Sequence, residues 1–281
     1  MAGGSRLRSL IGSPARVGLG GEGVLRTEGK DREAQEVLSA AYESGIRYFD
    51  SAPAYAGSEQ YLGRFWKKFP ARIPDTFQTS KSAQRNSAGA TADLKRTLSR
   101  LGREHLGLWQ IHDVRDKDDL SRIEEPAGAL RAFIDARETG MVRGIGVTGH
   151  HNPAVLLHAV TNWDVDAVLL PVNPVEAAIG GFLDKVIPAA RERGIGVIGM
   201  KTLGAGNFIF PDVGISADLL LRFALSQDTD IVIVGCSAPG EARQLARAGL
   251  ETVPMDDDKQ SRLIEAFRPH AGRFAFYRGA I

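Results

Sequence analysis

Four side chains that suit acid–base chemistry stand at the ends of short apolar runs or just beyond them. Asp50 ends one run, and Tyr55 follows on a loop that Pro53 restricts. Lys81 follows the next run, and His112 ends the one after it. A lone aspartate at such a position is more often a cap, and a lone lysine is more often solvated surface. Their joint occurrence after consecutive runs therefore indicates a functional site.

The four groups together suit carbonyl reduction. A phenol has an ordinary pKa of about 10, so it is a poor proton donor at neutral pH. An ammonium beside it, from Lys81, is expected to lower the pKa of Tyr55. Asp50 would keep Lys81 charged and in place, and His112 could orient a carbonyl oxygen or relay the proton. Such a set suits the protonation of an oxygen whose carbon receives a hydride.

The four side chains can act together only if the strands and helices of the fold bring them to the same side of the protein. Eight short apolar runs alternate with helical patterns, which predicts an α/β fold, a single-domain (β/α)8 barrel over residues 1–281. The runs are continuously apolar, as is typical of strands buried on both faces. An open, doubly wound sheet is the alternative. The predicted strands are residues 15–19, 47–50, 76–80, 106–112, 144–148, 167–172, 194–200 and 231–236.

Apolar residues spaced at i, i+3 and i+4 predict the helices between these strands. They are residues 32–44, 58–67, 87–101, 125–138, 153–160, 182–193, 217–226 and 240–248. We also predict a short N-terminal hairpin at 7–17 and an extra C-terminal helix at 256–267.

Composition narrows the class of protein. The hydrophobic fraction is 43%, the charged fraction is 25% and the formal net charge is +1, so we expect neither a nucleic-acid partner nor a membrane partner. No apolar run is long enough to span a bilayer, and residues 1–10 lack the apolar region of a signal peptide. The single cysteine, Cys236, excludes an internal disulfide and fits a cytoplasmic location.

Several segments resemble the aldo-keto reductase family. They are Gly45 to Tyr55, Ser58-Glu59 with Leu62-Gly63, Thr79-Ser80-Lys81, and Leu108 to His112. The resemblance runs in order over residues 17–245. It implies a (β/α)8 barrel, a small-molecule carbonyl substrate, and a nicotinamide cofactor that binds without a Rossmann fold. We expect a monomer or a weak homo-oligomer.

In that family a catalytic tetrad acts on the carbonyl, and the resemblance assigns it to Asp50, Lys81, His112 and Tyr55, with Tyr55 as general acid. The resemblance also implies a set of cofactor contacts. They are Thr148, Asn173, Met200, Lys201, Leu203, Gly235, Ser237, Glu241 and Arg243.

The cofactor positions match the family less well than the tetrad does. Thr148 stands where the family has a serine followed by an asparagine, and Met200 stands where an aromatic residue often stacks. Ser237 and the start of the following helix suit a phosphate. Glu241 stands where NADP-binding members commonly have a basic residue, although Arg243 is close in sequence. We expect NADPH, with NADH as the alternative.

Two further motifs receive no functional assignment. Residues 18–23 match G-x-G-x-x-G, but no helical pattern opens there, so we predict a flexible loop above the first strand instead of a dinucleotide fingerprint. His150 and His151 are adjacent, so we expect their side chains to point apart, His150 toward the substrate pocket and His151 to the surface. We therefore predict no metal ligand.

Alternatives to carbonyl reduction stay open. One is a nicotinamide-binding sensor or regulatory barrel with little turnover, and another is an alcohol or sugar dehydrogenase using the same site. Substrate identity is expected to depend on the loops at 20–30, 115–122 and 204–216. The aromatic tail residues Phe274, Phe276 and Tyr277 either reach the pocket or pack under the barrel.

Overall fold

The computed structural model describes residues 4–12, 16–251 and 253–279. Eight parallel strands close into a barrel in sequence order, which confirms the predicted (β/α)8 fold and excludes the open sheet. The strands are β1 Val17–Gly23, β2 Tyr48–Phe49, β3 Phe77–Ser82, β4 Leu108–Ile111, β5 Ile145–Thr148, β6 Ala167–Pro171, β7 Gly196–Met200 and β8 Ile231–Cys236.

Helices surround the barrel and extend past its last strand. The extra C-terminal helix is confirmed as α12. The helices are α1 Arg6–Ile11, α2 Asp31–Glu43, α3 Ser58–Lys68, α4 Ser87–Leu101, α5 Lys117–Glu124, α6 Ala129–Glu138, α7 Pro153–Asn162, α8 Pro174–Ile179, α9 Ile187–Glu192, α10 Ala217–Ser226, α11 Pro239–Leu250, α12 Asp257–Phe267 and α13 Ala271–Phe274. No helix within the described ranges is long and apolar enough to cross a membrane.

The predicted N-terminal hairpin is wrong, because residues 6–11 form helix α1. The Ser5 hydroxyl caps its start by accepting from the Arg8 backbone N–H, and Gly12 ends it with a φ of 66°. Leu7 is fully buried against the strands at the N-terminal end of the barrel. The remainder of the predicted hairpin, at residues 13–15, lies outside the described residues, as does the predicted start of the first strand at residue 15.

The glycine-rich stretch at 18–23 is also not the predicted loop, since it lies within β1. A Cβ atom on Gly20 would stand 2.9 Å from the Gly235 backbone nitrogen of β8, and one on Gly23 would stand 2.4 Å from the Cys236 carbonyl oxygen. Glycine is therefore needed there for close strand approach. Only a three-residue 3₁₀ turn, Val24–Arg26, follows the strand, so the rejection of a dinucleotide fingerprint is confirmed.

Two predicted helices begin differently from the prediction. The helix at 125–138 begins only at Ala129, as α6, because Pro126 keeps Glu125 extended, with a ψ of 155°. The helix at 182–193 begins with a π-helical turn, Phe182–Val186, before α9. A further helix, α5, lies before α6 in a stretch predicted as a loop, and its Asp119 holds Arg85 at the C-terminal end of the barrel.

Candidate active site

The four predicted catalytic side chains meet at the C-terminal end of the barrel. Asp50 follows β2, Lys81 lies within β3 and His112 follows β4, and these strands are neighbours in the sheet. The Lys81 Nζ atom lies 2.7 Å from Asp50 Oδ1 and 2.6 Å from Oδ2. It lies 4.8 Å from the centre of the Tyr55 ring. The Tyr55 hydroxyl is 3.5 Å from His112 Nε2.

The Asp50–Lys81 ion pair is buried and fully hydrogen-bonded. The relative exposure of Lys81 is 0% and that of Asp50 is 1%. Lys81 Nζ also donates to the Ser51 carbonyl at 2.9 Å, and the Thr79 hydroxyl donates to Asp50 Oδ1 at 2.9 Å. Burial lowers the pKa of Lys81, and the charge of Asp50 opposes that shift. The pair therefore fixes an ammonium group beneath the Tyr55 ring.

The pKa of Tyr55 moves in the direction opposite to the one predicted. Burial raises it well above its ordinary value, and the negative charges of Asp50 and Glu22 raise it further, while Arg26 opposes them. The prediction that Lys81 lowers the pKa of Tyr55 is therefore wrong. The Tyr55 phenol therefore keeps its proton at neutral pH and is a weaker acid than a free phenol, so it can donate that proton only if the phenolate it leaves is stabilised.

His112 is held as a neutral imidazole beside this phenol. Burial lowers its pKa to about 3, and the Lys81 ammonium contributes to the shift. Its ring stands edge-on to the Tyr55 ring, with centroids 5.5 Å apart. A neutral imidazole can donate one hydrogen bond to a substrate oxygen, which fits the orienting role predicted for it.

Residues that the sequence reasoning missed shape the space around Tyr55. A Cβ atom on Gly21 would stand 2.7 Å from the Tyr55 ring, so a side chain there would displace the phenol. The Arg26 guanidinium lies 5.4 Å from the ring centre. Thr79 could have been found, because it lies two residues before Lys81 on a strand and so faces the same side.

The residues after β7 suit a ligand with anionic groups. Met200 and Lys201 are partly exposed, and Leu203 is partly buried in the same loop. The neighbouring Thr202, which the sequence reasoning missed, is 1% exposed. Its hydroxyl has no hydrogen-bond partner within the ranges described, so it can bind an incoming group.

Two other predicted cofactor residues are already hydrogen-bonded within the protein. Thr148 is buried at the end of β5, and its hydroxyl accepts from the Asp113 backbone N–H at 3.1 Å. Asn173 is also buried and caps α8. Its amide nitrogen lies 3.1 Å from the Lys201 carbonyl and 3.0 Å from the Tyr277 hydroxyl. Asn173 therefore organises the loops instead of presenting a free amide.

The predicted phosphate-binding residues lie where β8 meets α11. The Ser237 backbone N–H points to the Glu241 carboxylate, with the Oε2 atom 2.6 Å away. Glu241 thus places an anion of the chain itself at the start of the helix, where a phosphate would be favoured. Gly235 lies directly against Glu22 and Gly23, and Arg243 is exposed on α11.

The C-terminal tail reaches the C-terminal end of the barrel. The Tyr277 hydroxyl donates to Glu176 Oε1 at 2.8 Å, and the Arg278 guanidinium forms an ion pair with the same buried carboxylate. Lys201 Nζ lies 5.5 Å from the centre of the Tyr277 ring. The tail is predicted either to reach the pocket or to pack under the barrel. Tyr277 lies at the pocket end of the barrel, as the first alternative predicts, whereas Phe276 is exposed.

His150 and His151 do not point apart as predicted. Their Nε2 atoms lie 3.0 Å and 3.3 Å from Asp113 Oδ1, and their ring centroids are 4.2 Å apart. Both side chains are half-buried instead of one being on the surface. The three residues therefore form a cluster with potential ligand atoms within 4.8 Å of one another.

The chain resembles known proteins in sequence and in fold. A sequence model described as the Aldo/keto reductase family matches residues 16–209. The chain is 27% identical over 210 residues to D-threo-aldose 1-dehydrogenase from a Pseudomonas species, covering 63% of this chain and 61% of that protein. It is 25% identical over 227 residues to pyridoxal 4-dehydrogenase from Microbacterium luteolum, covering 65% and 64%. Both alignments thus span less than two thirds of the relative's own length.

Solved structures share the fold. An aldo-keto reductase from Klebsiella pneumoniae in complex with NADPH superposes with a TM-score of 0.73 at 17% identity, covering 90% of this chain and 91% of that one. At 17% identity this likeness shows that the fold is shared. It does not show which ligand this chain binds.

The buried ion pair makes a prediction about stability. Lys81→Met leaves the Asp50 carboxylate buried without a countercharge, so we expect the free energy of unfolding to fall by about 3–5 kcal/mol. The double variant Asp50→Asn/Lys81→Met buries no charge and should lose less. Urea unfolding followed by tryptophan fluorescence measures both. A single variant at least as stable as the double variant contradicts the account.

Proposed function

The chain belongs to the aldo/keto reductase family, and on that premise we propose that it reduces the carbonyl group of a small molecule to an alcohol with Tyr55 as the general acid. The observation that carries the proposal is geometric: the protonated Tyr55 hydroxyl lies 3.5 Å from the His112 imidazole, and the centre of its ring lies 4.8 Å from the Lys81 ammonium. This set combines a proton donor, a hydrogen-bond donor and a fixed positive charge.

Each residue has a separate role in this proposal. A carbonyl oxygen between the Tyr55 hydroxyl and His112 Nε2 accepts hydrogen bonds from both, provided that the imidazole carries its proton on Nε2. As negative charge develops on that oxygen, Tyr55 transfers its proton to it. Lys81 stabilises the phenolate that remains, because the ammonium is already held in place by Asp50.

We propose NADPH as the cofactor, as in the complex of the Klebsiella pneumoniae relative. When bound, the reduced nicotinamide supplies the hydride that the carbonyl carbon receives. The chain offers fitting groups, since the buried Thr202 hydroxyl has no hydrogen-bond partner in the part of the chain that the structure describes, and Lys201 supplies a positive charge in the same loop. The Ser237 N–H at the start of α11 would bind a phosphate once Glu241 releases it.

A second candidate is the reverse reaction, oxidation of an alcohol or sugar at the same site. It is favoured by the names of the two relatives, an aldose 1-dehydrogenase and a pyridoxal 4-dehydrogenase. In that direction Tyr55 must first lose its own proton, and the phenolate, stabilised by Lys81, then accepts the proton of the alcohol. Assays with each nicotinamide in both directions decide between them, and cofactor binding without turnover in either direction would favour a sensor.

Tyr55→Phe tests the assignment of the general acid. We expect it to lower kcat by about 10²–10⁴-fold, because the ring is kept and only the proton donor is lost. NADPH binding, followed by quenching of protein fluorescence, should stay as in the wild type. The control is Tyr42→Phe, because the Tyr42 hydroxyl donates to Asp75 at the protein surface. Wild-type turnover in Tyr55→Phe would remove Tyr55 from the mechanism.

Glu241→Ala tests the phosphate end of the cofactor site. Removing this carboxylate frees the Ser237 N–H and removes charge repulsion, so we expect about tenfold tighter binding of NADPH and a smaller gain for NADH. Titration calorimetry with both nucleotides measures the ratio. The control is Glu251→Ala, because Glu251 stands at the other end of α11. If the affinities for NADPH and NADH change equally, Glu241 does not lie near the 2′-phosphate that distinguishes the two nucleotides.

A further inference from the structure

We propose that Asp113, His150 and His151 form a binding site for one divalent transition-metal ion of the zinc class. The proposal is independent of the proposed reductase activity. It rests on three potential ligand atoms from two neighbouring strand ends, which converge at the C-terminal end of the barrel.

The backbone places these residues together. Asp113 is the second residue after β4, and His150 and His151 follow β5 after one intervening residue, Gly149. Strands β4 and β5 pair directly, so their C-terminal ends are adjacent. Asp113 has a φ of 56°, in the left-handed region, and its backbone N–H donates to the Thr148 hydroxyl. This hydrogen bond holds the Asp113 backbone against the end of β5.

The hydrogen bonds of the two imidazoles determine which nitrogen is free. His150 Nδ1 lies 2.6 Å from the Tyr277 carbonyl oxygen, and His151 Nδ1 lies 3.2 Å from the Arg278 carbonyl oxygen. A carbonyl oxygen can only accept, so both Nδ1 atoms carry the proton. A neutral imidazole protonated at Nδ1 has a lone pair on Nε2. Metal-binding histidines are typically oriented by this kind of N–H donation to a carbonyl.

The free lone pairs face a carboxylate oxygen. Both Nε2 atoms point to Asp113 Oδ1, at 3.0 Å and 3.3 Å. Within the described ranges, Asp113 Oδ1 and His151 Nε2 are buried and have no hydrogen-bond partner. Two nitrogen lone pairs that lie within 3.3 Å of the same carboxylate oxygen are repelled by it unless a cation or a proton lies between them. The cluster therefore has the charge pattern of a metal site.

The distances and the ligand types fit a zinc-class ion. Bonds of about 2.0–2.1 Å in a tetrahedral arrangement separate the ligand atoms by about 3.4 Å. The two oxygen–nitrogen distances are close to this value, and the nitrogen–nitrogen separation lies within 4.8 Å, so the side chains must close that separation when the ion binds. Two histidines and one carboxylate leave at least one position open, and the side chains are 18–24% exposed, so water can complete the coordination.

Two features of the cluster argue against a bound metal ion. Arg115 binds the other oxygen of Asp113, with Nη2 2.7 Å from Oδ2, and its positive charge disfavours a cation nearby. A proton on one of the two Nε2 atoms would also relieve the repulsion by donating to Oδ1. One proton, however, satisfies only one ring, and the second Nε2 still faces the carboxylate.

Metal binding would also fix the C-terminal tail. The two imidazoles that bind the ion hold the carbonyl groups of Tyr277 and Arg278. Locking the rings in one orientation therefore holds Tyr277 and Arg278 of the tail at the C-terminal end of β5. We expect slower amide hydrogen exchange in residues 271–279 when the metal is bound.

The experiment uses the full-length protein with any affinity tag removed and with metals stripped by a chelator. Cobalt(II) is titrated as a visible-absorption probe, zinc(II) is used to displace it, and elemental analysis gives the stoichiometry. The test variants are Asp113→Asn and His151→Gln. The matched control is His158→Gln, because His158 pairs with Glu124 at 2.7 Å on the surface and belongs to no such three-residue cluster among the described residues.

We expect one equivalent of metal per wild-type chain, with affinity at least about tenfold lower in both test variants and unchanged in His158→Gln. Circular dichroism checks that each variant is folded, and Asp113→Asn keeps the size of the side chain if His151→Gln does not fold. The proposal is overturned if the wild type binds well under one equivalent. It is also overturned if folded Asp113→Asn binds as the wild type does, or if His158→Gln loses as much affinity.

Discussion

The ion pair between Asp50 and Lys81 is the interaction on which the site depends. Two opposite charges buried at the end of the barrel are tolerable only when every polar atom around them is paired. The Thr79 hydroxyl and the Ser51 carbonyl meet that requirement. The same burial raises the pKa of Tyr55, so the phenol stays protonated while an ammonium stands ready to stabilise its anion. The barrel thus fixes a donor and its countercharge before substrate arrives.

The barrel, and the meeting of the four proposed catalytic residues at its C-terminal end, could be predicted from the sequence because both follow from local patterns. Strands buried on both faces are continuous apolar runs, and residues at their ends must meet. The predictions that were wrong concern features that depend on contacts between segments far apart in the sequence. The pKa of Tyr55 reflects burial by many elements, and the strand at 18–23 is fixed by its pairing with β2 and β8. His150 and His151 converge because the C-terminal tail orients their rings.

Groups of the chain itself already occupy hydrogen-bonding positions that the family resemblance assigns to the cofactor. Glu241 accepts from Ser237 at the start of α11, and Tyr277 contacts Asn173 above the end of β6. The tail that supplies Tyr277 also orients the proposed metal ligands, so the tail, cofactor contacts and metal cluster share one set of hydrogen bonds.

Transfer of label tests the central claim most directly. The purified protein is incubated with NADPH deuterated at nicotinamide C4 and with a panel of aldehydes and ketones, and the products are analysed by mass spectrometry. Because one hydride moves to the carbonyl carbon, at least one alcohol should carry a single deuterium on that carbon when the correct face of the nicotinamide is labelled. If the protein binds the nucleotide but yields no labelled alcohol from either face with any substrate, the account of the site as a carbonyl reductase is contradicted.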